Sequence, residues 1–168
     1  MINKLPVKTI AIKIKNPELK YQVIIGQANF SIFTTDNLFM TILTAAPRIK
    51  CALAMNEAVP KLTRVTANDS NLEKLAAENA VAIGASHAFV LMMENAFPIN
   101  IIPQIKNHPA VCSIFVASAN EMEVLVGETD LGRAILGVVD GTSVNKIETV
   151  EQKKERRELV EKFGYKIS

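Results

Sequence analysis

The sequence is poor in the features that mark several common classes of protein. Aromatic residues make up only 5% of its 168 residues, the formal net charge is +2, and no basic stripe with interleaved aromatic residues occurs. Nucleic-acid binding is therefore not expected. The phosphate-loop, dinucleotide-binding, nucleophile-elbow and His-Glu-x-x-His zinc motifs are also absent, so no standard nucleotide or hydrolase motif assigns a function.

Cysteine and histidine are scarce as well, with two residues of each. Cys51 and Cys112 both lie inside apolar runs, which predicts buried thiols in a reducing cytoplasm rather than a disulfide or a zinc cluster. The first residues lack the apolar block of a secretory signal, and no apolar run reaches the length of a membrane span. We therefore expect a cytoplasmic protein with no membrane partner.

What the sequence does contain is enough apolar material, 49% of its residues, to bury a core in one domain over residues 1–168. Strands alternate with helices in the middle of the chain, which favours an α/β fold: a layered single domain with a mixed β-sheet flanked by helices. The predicted strands are Val7–Lys15, Tyr21–Ile25, Ile49–Met55, Leu62–Thr66, His87–Met93 and Val111–Ala117. The predicted helices follow Thr34-Thr35-Asp36, begin at Ser70 and at Pro98, and run from Val150 to Phe163.

Local signals fix several details of these elements. The first two strands are separated by Asn16-Pro17 and are expected to pair as a hairpin. Ser70 and Glu73 fit a capping box, and Gly84 is placed to end the same helix. In the last helix, Leu159, Val160 and Phe163 are expected to face inward, with the charged residues forming the solvated face.

The stretch from Ser118 to Thr142 combines a predicted β-hairpin with an unusual density of polar and glycine residues. Its strands are Val124–Val126 and Ala134–Val139. Glycine inside a strand weakens it and often marks a bulge or a bound ligand, so this stretch is expected to line a site. The alternative is an edge hairpin with solvated ends. The polar residues are Asn120, Glu121, Glu123, Glu128, Asp130, Arg133 and Asp140, and the glycines are Gly127, Gly132, Gly137 and Gly141.

Other polar residues directly follow apolar strands, where α/β proteins commonly bind ligands. They are Asn56-Glu57, Asn95 and Ser118-Ala119-Asn120. Each candidate also has a structural explanation. Arg133 could clamp a phosphate or pair with Glu128 or Asp130, Asp140-Gly141 could be a turn, and Glu57 could be a solvated strand end. Three further polar residues, His87, His108 and Asn100, could be structural, while Met92 and Met93 are expected in the core.

The chain resembles the adenosine-specific kinase family along nearly its whole length. The order and spacing of short segments carry the resemblance. They are Ala82–His87, Ala96–Asn100, Ile105–Asn107, Val111-Cys112, Ala117–Asn120, Gly127–Thr129, Gly132-Arg133, Leu136–Gly141 and Gly164–Lys166. The resemblance implies a single α/β domain, a homotrimer, and phosphoryl transfer from ATP to the 5′-hydroxyl of adenosine to give AMP.

The sequence departs from the family pattern at three places. Glu121 stands where proline is expected, Ala134 where glycine is expected, and Met93-Glu94 replaces a basic segment. A missing positive charge would weaken a triphosphate site. The alternative function is therefore a module that binds or senses adenine nucleotides without turnover.

The chemistry of each side chain suggests a role for each candidate residue. Asp140 is expected to orient or deprotonate the hydroxyl and Arg133 to clamp phosphate, while Glu123 or Glu128 would hold Mg²⁺ brought with ATP. The residues expected to bind nucleoside or nucleotide are Glu57, His87, Asn100, Ser118, Asn120, Gly132 and Gly137.

Apolar residues outside the periodic core faces are compatible with a trimer. They include Phe30, Ile32, Phe33, Met55, Phe97 and Ile99. A threefold ring needs a contact between different patches on neighbouring chains, and Phe97-Pro98-Ile99 is expected near both that contact and the ligand. The alternative is that these residues complete one large monomer core.

Overall fold

A computed structural model describes residues 6–30 and 32–165 of the chain. It contains eight strands, four α-helices and a short 3₁₀ turn at Pro17–Leu19 among those residues. The strands are β1 Lys8–Lys13, β2 Gln22–Ala28, β3 Lys50–Asn56, β4 Thr63–Ala67, β5 Ala88–Glu94, β6 Val111–Ser118, β7 Met122–Glu128 and β8 Arg133–Asp140. The helices are α1 Thr35–Ala45, α2 Ser70–Ile83, α3 Pro98–Asn107 and α4 Val150–Lys162.

The strands form two sheets, which confirms the layered single-domain α/β prediction. A five-stranded sheet has the order β4-β3-β5-β2-β6, and a three-stranded sheet has the order β1-β7-β8. Every pairing within the described residues is antiparallel, so two antiparallel sheets replace the single mixed sheet that the sequence predicted. None of the described helices has the length and apolar character needed to cross a membrane.

The predicted hairpin of the first two strands is wrong. β1 pairs with β7, and β2 lies in the other sheet between β5 and β6. The 3₁₀ turn between them contains Glu18 and Leu19 at positive φ, 55° and 52°, so the chain changes direction instead of folding back on β1. The predicted β7–β8 hairpin is confirmed, with Glu128 opposite Arg133 at its tip and Met122 opposite Asp140 at its base.

The five-stranded sheet is buried on both faces. Alternate residues of its central strands point to opposite sides, as strand geometry requires. Val90 and Met92 of β5 face α2 and the three-stranded sheet, while Phe89 and Leu91 face α1 and α3. Met92 and Met93 are both fully buried, which confirms their predicted role in the core.

A buried asparagine side chain joins the three-stranded sheet to α2. Asn79 on α2 accepts a hydrogen bond from the Lys15 amide at 2.8 Å and donates to the Lys15 carbonyl at 3.0 Å. Because Lys15 lies just after β1, this side chain holds the three-stranded sheet to α2. At the C-terminal end of α2, Gly84 is left-handed, with φ 66°, as its predicted role at the helix end requires.

Some predicted details differ from the structure. Asp69 rather than Ser70 caps α2, because its carboxylate accepts hydrogen bonds from the amides of Asn71 and Leu72 at 3.1 Å. Cys112 is exposed, since β6 is an edge strand of its sheet. Helix α4 has no buried residue, so the expectation that Leu159 and Phe163 face a core is wrong.

The apolar residues predicted outside the core divide into two groups. Met55 is buried within the core, and Phe30 and Phe33 are half-buried. Ile32, Phe97 and Ile99 are exposed. Only these last three remain available to a second copy of the chain.

Gly26 marks the tightest point of the central sheet. A Cβ at this position would lie 2.5 Å from both the Phe89 ring and the Ser113 carbonyl oxygen. We predict that Gly26→Ala destabilises the protein by about 3 kcal/mol, because neither the buried ring nor the neighbouring strand can move aside. Gly137→Ala is the control: no atom lies within 4 Å of its Cβ position, and its effect should stay within about 0.5 kcal/mol. Urea unfolding at one protein concentration checks both values, and equal effects would contradict the prediction.

The two thiols should differ sharply in reactivity. Burial raises the pKa of Cys51 to about 12, whereas Cys112 is exposed. The thiolate is the reactive form, so a thiol reagent at pH 8 should modify Cys112 rapidly and Cys51 only after unfolding. A Cys112→Ser variant should show no rapid modification. Two rapidly reacting thiols in the native protein would show that Cys51 is accessible.

Candidate functional site

The largest cleft lies where three elements meet: the C-terminal end of α2, the loop between β3 and β4, and the tip of the β7–β8 hairpin. Its volume is about 1000 Å³, at the upper end of the range for small-molecule sites. The lining includes three residues predicted from the sequence, namely Glu57, Gly132 and Arg133. It also includes residues that the sequence analysis did not select, namely Asn56, Lys61, Thr63, Gly84 and Ser86.

Asn56 lines this cleft and connects the elements around it. Its buried amide donates to the carbonyls of Ala80 and Ala85, at 2.8 and 3.0 Å, and accepts from the Thr63 hydroxyl at 2.7 Å. These bonds tie the end of β3 to the end of α2 and to β4. The segment that carries Gly84 and Ser86 is therefore fixed by buried hydrogen bonds, which are costly to break.

His87 contributes its backbone to this arrangement. Its φ is 63°, its amide donates to the Asn56 carbonyl at 2.8 Å, and its carbonyl accepts from the Ala28 amide at 2.9 Å. The imidazole is not part of the cleft lining, whereas the preceding residue, Ser86, is. His87 stays a predicted binding residue, but Ser86, not His87, lines the cleft.

Arg133 is held from two sides. Its Nε donates to the Glu128 carboxylate at 2.7 Å, and an Nη donates to the Ala82 carbonyl at 3.3 Å, at the C-terminal end of α2. The salt-bridge alternative from the sequence is thus present. Arg133 also borders a smaller cavity of about 100 Å³ that it shares with Ser86, so the guanidinium stands between the two spaces.

The β3–β4 loop forms the opposite wall. It is closed by a hydrogen bond from the Glu57 amide to the Leu62 carbonyl at 2.8 Å, and the Glu57 carboxylate accepts from Arg64 Nε at 2.8 Å. Lys61 has φ 66° and forms no ion pair with any residue that the structure describes. An unpaired lysine and an arginine that line the same cleft suit the binding of an anion.

A second group of predicted residues lies at the base of the hairpin. The Asn120 amide group donates to the Asp140 carboxylate at 3.1 Å, and the Asn120 backbone amide donates to the Ser118 hydroxyl at 3.0 Å. Glu123 is on the same end of the hairpin, opposite Val139. Hydrogen bonds therefore join Ser118, Asn120 and Asp140, whereas the Glu123 side chain lies on the opposite face of the sheet from Asp140, because Asp140 pairs with Met122.

The two groups are far apart within one chain. Arg133 and Asp140 are the first and last residues of β8, and seven residue steps of an extended strand span about 23 Å. Glu128 and Glu123 are separated along β7 in the same way, so they cannot hold one ion together. Gly137 lies between the two groups, with open space at its Cβ position.

Asn100 belongs to neither group. Its side-chain oxygen accepts a hydrogen bond from the Phe97 backbone amide at 3.0 Å, and the backbone amide of Asn100 donates to the Phe97 carbonyl at 2.9 Å. The side chain thus helps to begin α3, which packs on the other face of the central sheet. Its predicted role in nucleotide binding stays a prediction.

Mg²⁺ prefers oxygen ligands, and the candidate residues can offer carboxylate and amide oxygens. Over residues 6–30 and 32–165, no group of three or more His, Cys, Asp or Glu residues is arranged to hold a metal. Mg²⁺ in kinases needs only one or two carboxylates because the phosphates supply other ligands. The Asp140 carboxylate, which accepts a hydrogen bond from the Asn120 amide N–H, could supply one such oxygen, whereas Glu128 is paired with Arg133. The expected metal role of Glu123 or Glu128 stays a prediction.

Comparisons with known proteins agree on the identity of the fold. The PH1918 protein from Pyrococcus horikoshii OT3 has a crystal structure that matches with a TM-score of 0.92 and 62% sequence identity, over 97% of this chain and all of that one. No protein with a curated description matches significantly. The family described as adenosine specific kinase matches residues 12–166, nearly the whole length. The chain therefore belongs to the adenosine-specific kinase family.

Proposed function

We propose that the protein transfers a phosphoryl group from ATP to the 5′-hydroxyl of adenosine, giving AMP, and that it does so in the cytoplasm. The observation that carries this proposal is the cleft of about 1000 Å³, in which Arg133 and Lys61 lie beside hydrogen-bonding groups. Membership of the adenosine-specific kinase family supports the substrate class. The free thiols of Cys51 and Cys112 are consistent with a reducing compartment.

Phosphoryl transfer requires positioning and charge neutralisation more than covalent chemistry. In the proposed site Arg133 neutralises the transferred phosphate, and Lys61 extends the positive charge along the cleft. The Arg133 side chain is already oriented by Glu128 and by the Ala82 carbonyl, so little rotamer freedom is lost when it meets phosphate. Gly132 and Gly84 let the ligand approach the backbone closely.

The nucleoside is proposed to lie against the β3–β4 loop and the Ser86 segment. Glu57 accepts hydrogen bonds from ribose hydroxyls, and the Ser86 hydroxyl offers a further partner. Asn56 holds both walls in place through its buried amide and acts as a positioning residue. Asp140, oriented by the Asn120 amide, is the residue proposed to hold Mg²⁺ brought with ATP, which would supply neutralisation of phosphate charge.

The separation of Asp140 from Arg133 favours a site shared between subunits. We propose a homotrimer in which the Asp140 end of one hairpin approaches the Arg133 end of a neighbouring chain. Such a contact joins different patches, and repeating it closes a ring. Exposed Ile32 and Ile99, together with the unburied α4, offer apolar surface for association.

One observation favours the alternative of a binding module without turnover. The cation in the cleft that is aimed at phosphate, Arg133, is already partnered by Glu128 at 2.7 Å. Calorimetry with adenosine, AMP, ADP and ATP distinguishes the two functions. Tight AMP binding with weak ATP binding and no reaction would favour the module over the kinase.

We predict that purified protein forms AMP from adenosine and ATP, and that Arg133→Gln lowers turnover about 100-fold because a charged donor to the transferring phosphate is lost. Adenosine affinity should change much less, since the nucleoside carries no phosphate. Arg157→Gln, an exposed change on α4, is the matched control and should leave turnover unchanged. Equal turnover in the two variants would remove Arg133 from the mechanism.

A shared site makes a second prediction. Arg133→Gln and Asp140→Asn should each be nearly inactive alone, and Asp140→Asn should keep adenosine affinity. After the two variants are unfolded, mixed in equal amounts and refolded, about a quarter of the sites in a head-to-tail ring combine both native residues. Turnover should recover to about that fraction. Light scattering confirms the trimer mass, and no recovery in mixed trimers would place both residues in one chain's site or in none.

A further inference from the structure

A second cleft lies at the opposite end of the central sheet, where β3 begins and β5 ends. Its volume is about 640 Å³, and its lining includes Lys20, Arg48, Glu94, Asn95 and Phe97. None of the residues that we assign to adenosine or to Mg²⁺ lines it. β3 runs from Lys50 beside this cleft to Asn56 in the first one, a separation of about 20 Å along the strand.

The end of this cleft is built from two left-handed turns side by side. Arg48 has φ 61° and Asn95 has φ 64°, and the Asn95 side chain donates to the Arg48 carbonyl at 3.4 Å. Asparagine tolerates this conformation easily, but arginine does so at a cost of about 1 kcal/mol or more. The fold therefore holds an arginine in an unfavourable backbone conformation at the cleft.

The charges in the lining leave one cation unbalanced. Lys20 is paired with Glu94 at 3.2 Å, so these two residues neutralise one another. Arg48 forms no ion pair with any residue in the part of the chain that the structure describes. Guanidinium is the side chain best suited to hold a phosphate through two parallel hydrogen bonds.

Phe97, which lines the same cleft as Arg48, belongs to a pair of aromatic rings. The Phe97 and Phe163 rings meet edge to face, with centroids 6.4 Å apart and planes at 67°. Both remain largely exposed, 55% for Phe97 and 63% for Phe163. Exposed aromatic faces beside a positive charge form a stacking surface for a planar ring that carries negative charge.

We propose that this cleft is a second binding site, specific for a nucleotide whose base stacks on Phe97 and whose phosphate pairs with Arg48. The distance between the clefts means that a nucleotide bound here does not react with adenosine in the first cleft of the same chain. The proposal does not depend on the function assigned to that first cleft.

The test is a calorimetric titration of the intact protein with AMP, adenosine and inorganic phosphate in turn. AMP should bind to a site that depends on Arg48 and Phe97, whether or not it also binds in the first cleft. Adenosine, which lacks the phosphate, and phosphate, which lacks the ring, should each bind the second site at least about 10-fold more weakly than AMP. Arg48→Gln and Phe97→Leu should each weaken that site by about 10-fold and leave the first unchanged. Lys74→Gln, which removes one positive charge from exposed α2 surface, should leave both sites unchanged.

The outcomes separate this proposal from the kinase. If Arg133→Gln abolishes turnover and AMP still saturates a site that Arg48→Gln removes, both stand. If the protein shows no turnover but keeps the site that depends on Arg48, only the kinase fails. One AMP site per chain that is unaffected by Arg48→Gln and Phe97→Leu overturns the second site. A change in mass by light scattering for Phe97→Leu, without any change in AMP binding, also overturns it by assigning the rings to a contact between copies.

Discussion

The burial of the five-stranded sheet on both faces is the constraint on which the rest of the structure depends. The interior of β2, β3 and β5 has no room for polar side chains, because α1 and α3 cover one face and α2 with the three-stranded sheet covers the other. Polar groups are therefore found where strands end. The buried Asn56 lies at such an end, and it is stable there because each of its side-chain hydrogen-bonding atoms has a partner.

The same constraint explains why the chain has clefts at both ends of the central sheet. At one end the hairpin tip and the β3–β4 loop enclose a cleft that contains Arg133 and Glu57. At the other end the turns at Arg48 and Asn95 enclose the second. Since antiparallel neighbours β3 and β5 run in opposite directions, each cleft is built from the start of one strand and the end of the other, and neither end of the sheet is reserved for ligands.

Much of the fold could be predicted from the sequence, and the failures have physical causes. The apolar runs at Ile49–Met55 and His87–Met93 identified the buried strands because their length and burial leave few alternatives. Pairing was harder, since the alternation of β1 predicts a half-exposed strand but not its partner, and β7 lies more than 100 residues away. Ser70 and Glu73 fit a capping motif in the sequence, but Ser70 is already the first residue of α2, and Asp69 before it occupies the N-cap position from which a carboxylate reaches the free amides of Asn71 and Leu72.

The candidate site was predictable only in part. The cleft is lined by Glu57, Gly132 and Arg133, which were predicted from the sequence and lie next to strand ends in the structure. Ser86 and Lys61 were missed since a lone serine or lysine in a turn gives no local signal. The separation of about 23 Å between Arg133 and Asp140 already follows from the predicted strand Ala134–Val139 that lies between them, but the assignment of roles by side-chain chemistry placed both residues in one site without using that distance.

Asn79 has a consequence for motion within the domain. Its one amide holds both the N–H and the C=O of Lys15, so the three-stranded sheet cannot slide along α2 without breaking two buried hydrogen bonds at once. The hairpin belongs to that sheet, and Arg133 contacts Ala82, which lies within one turn of Asn79 on the same helix. The sheet, α2 and the hairpin tip are therefore joined by hydrogen bonds on one side of the large cleft, and the short β3–β4 loop forms its other side.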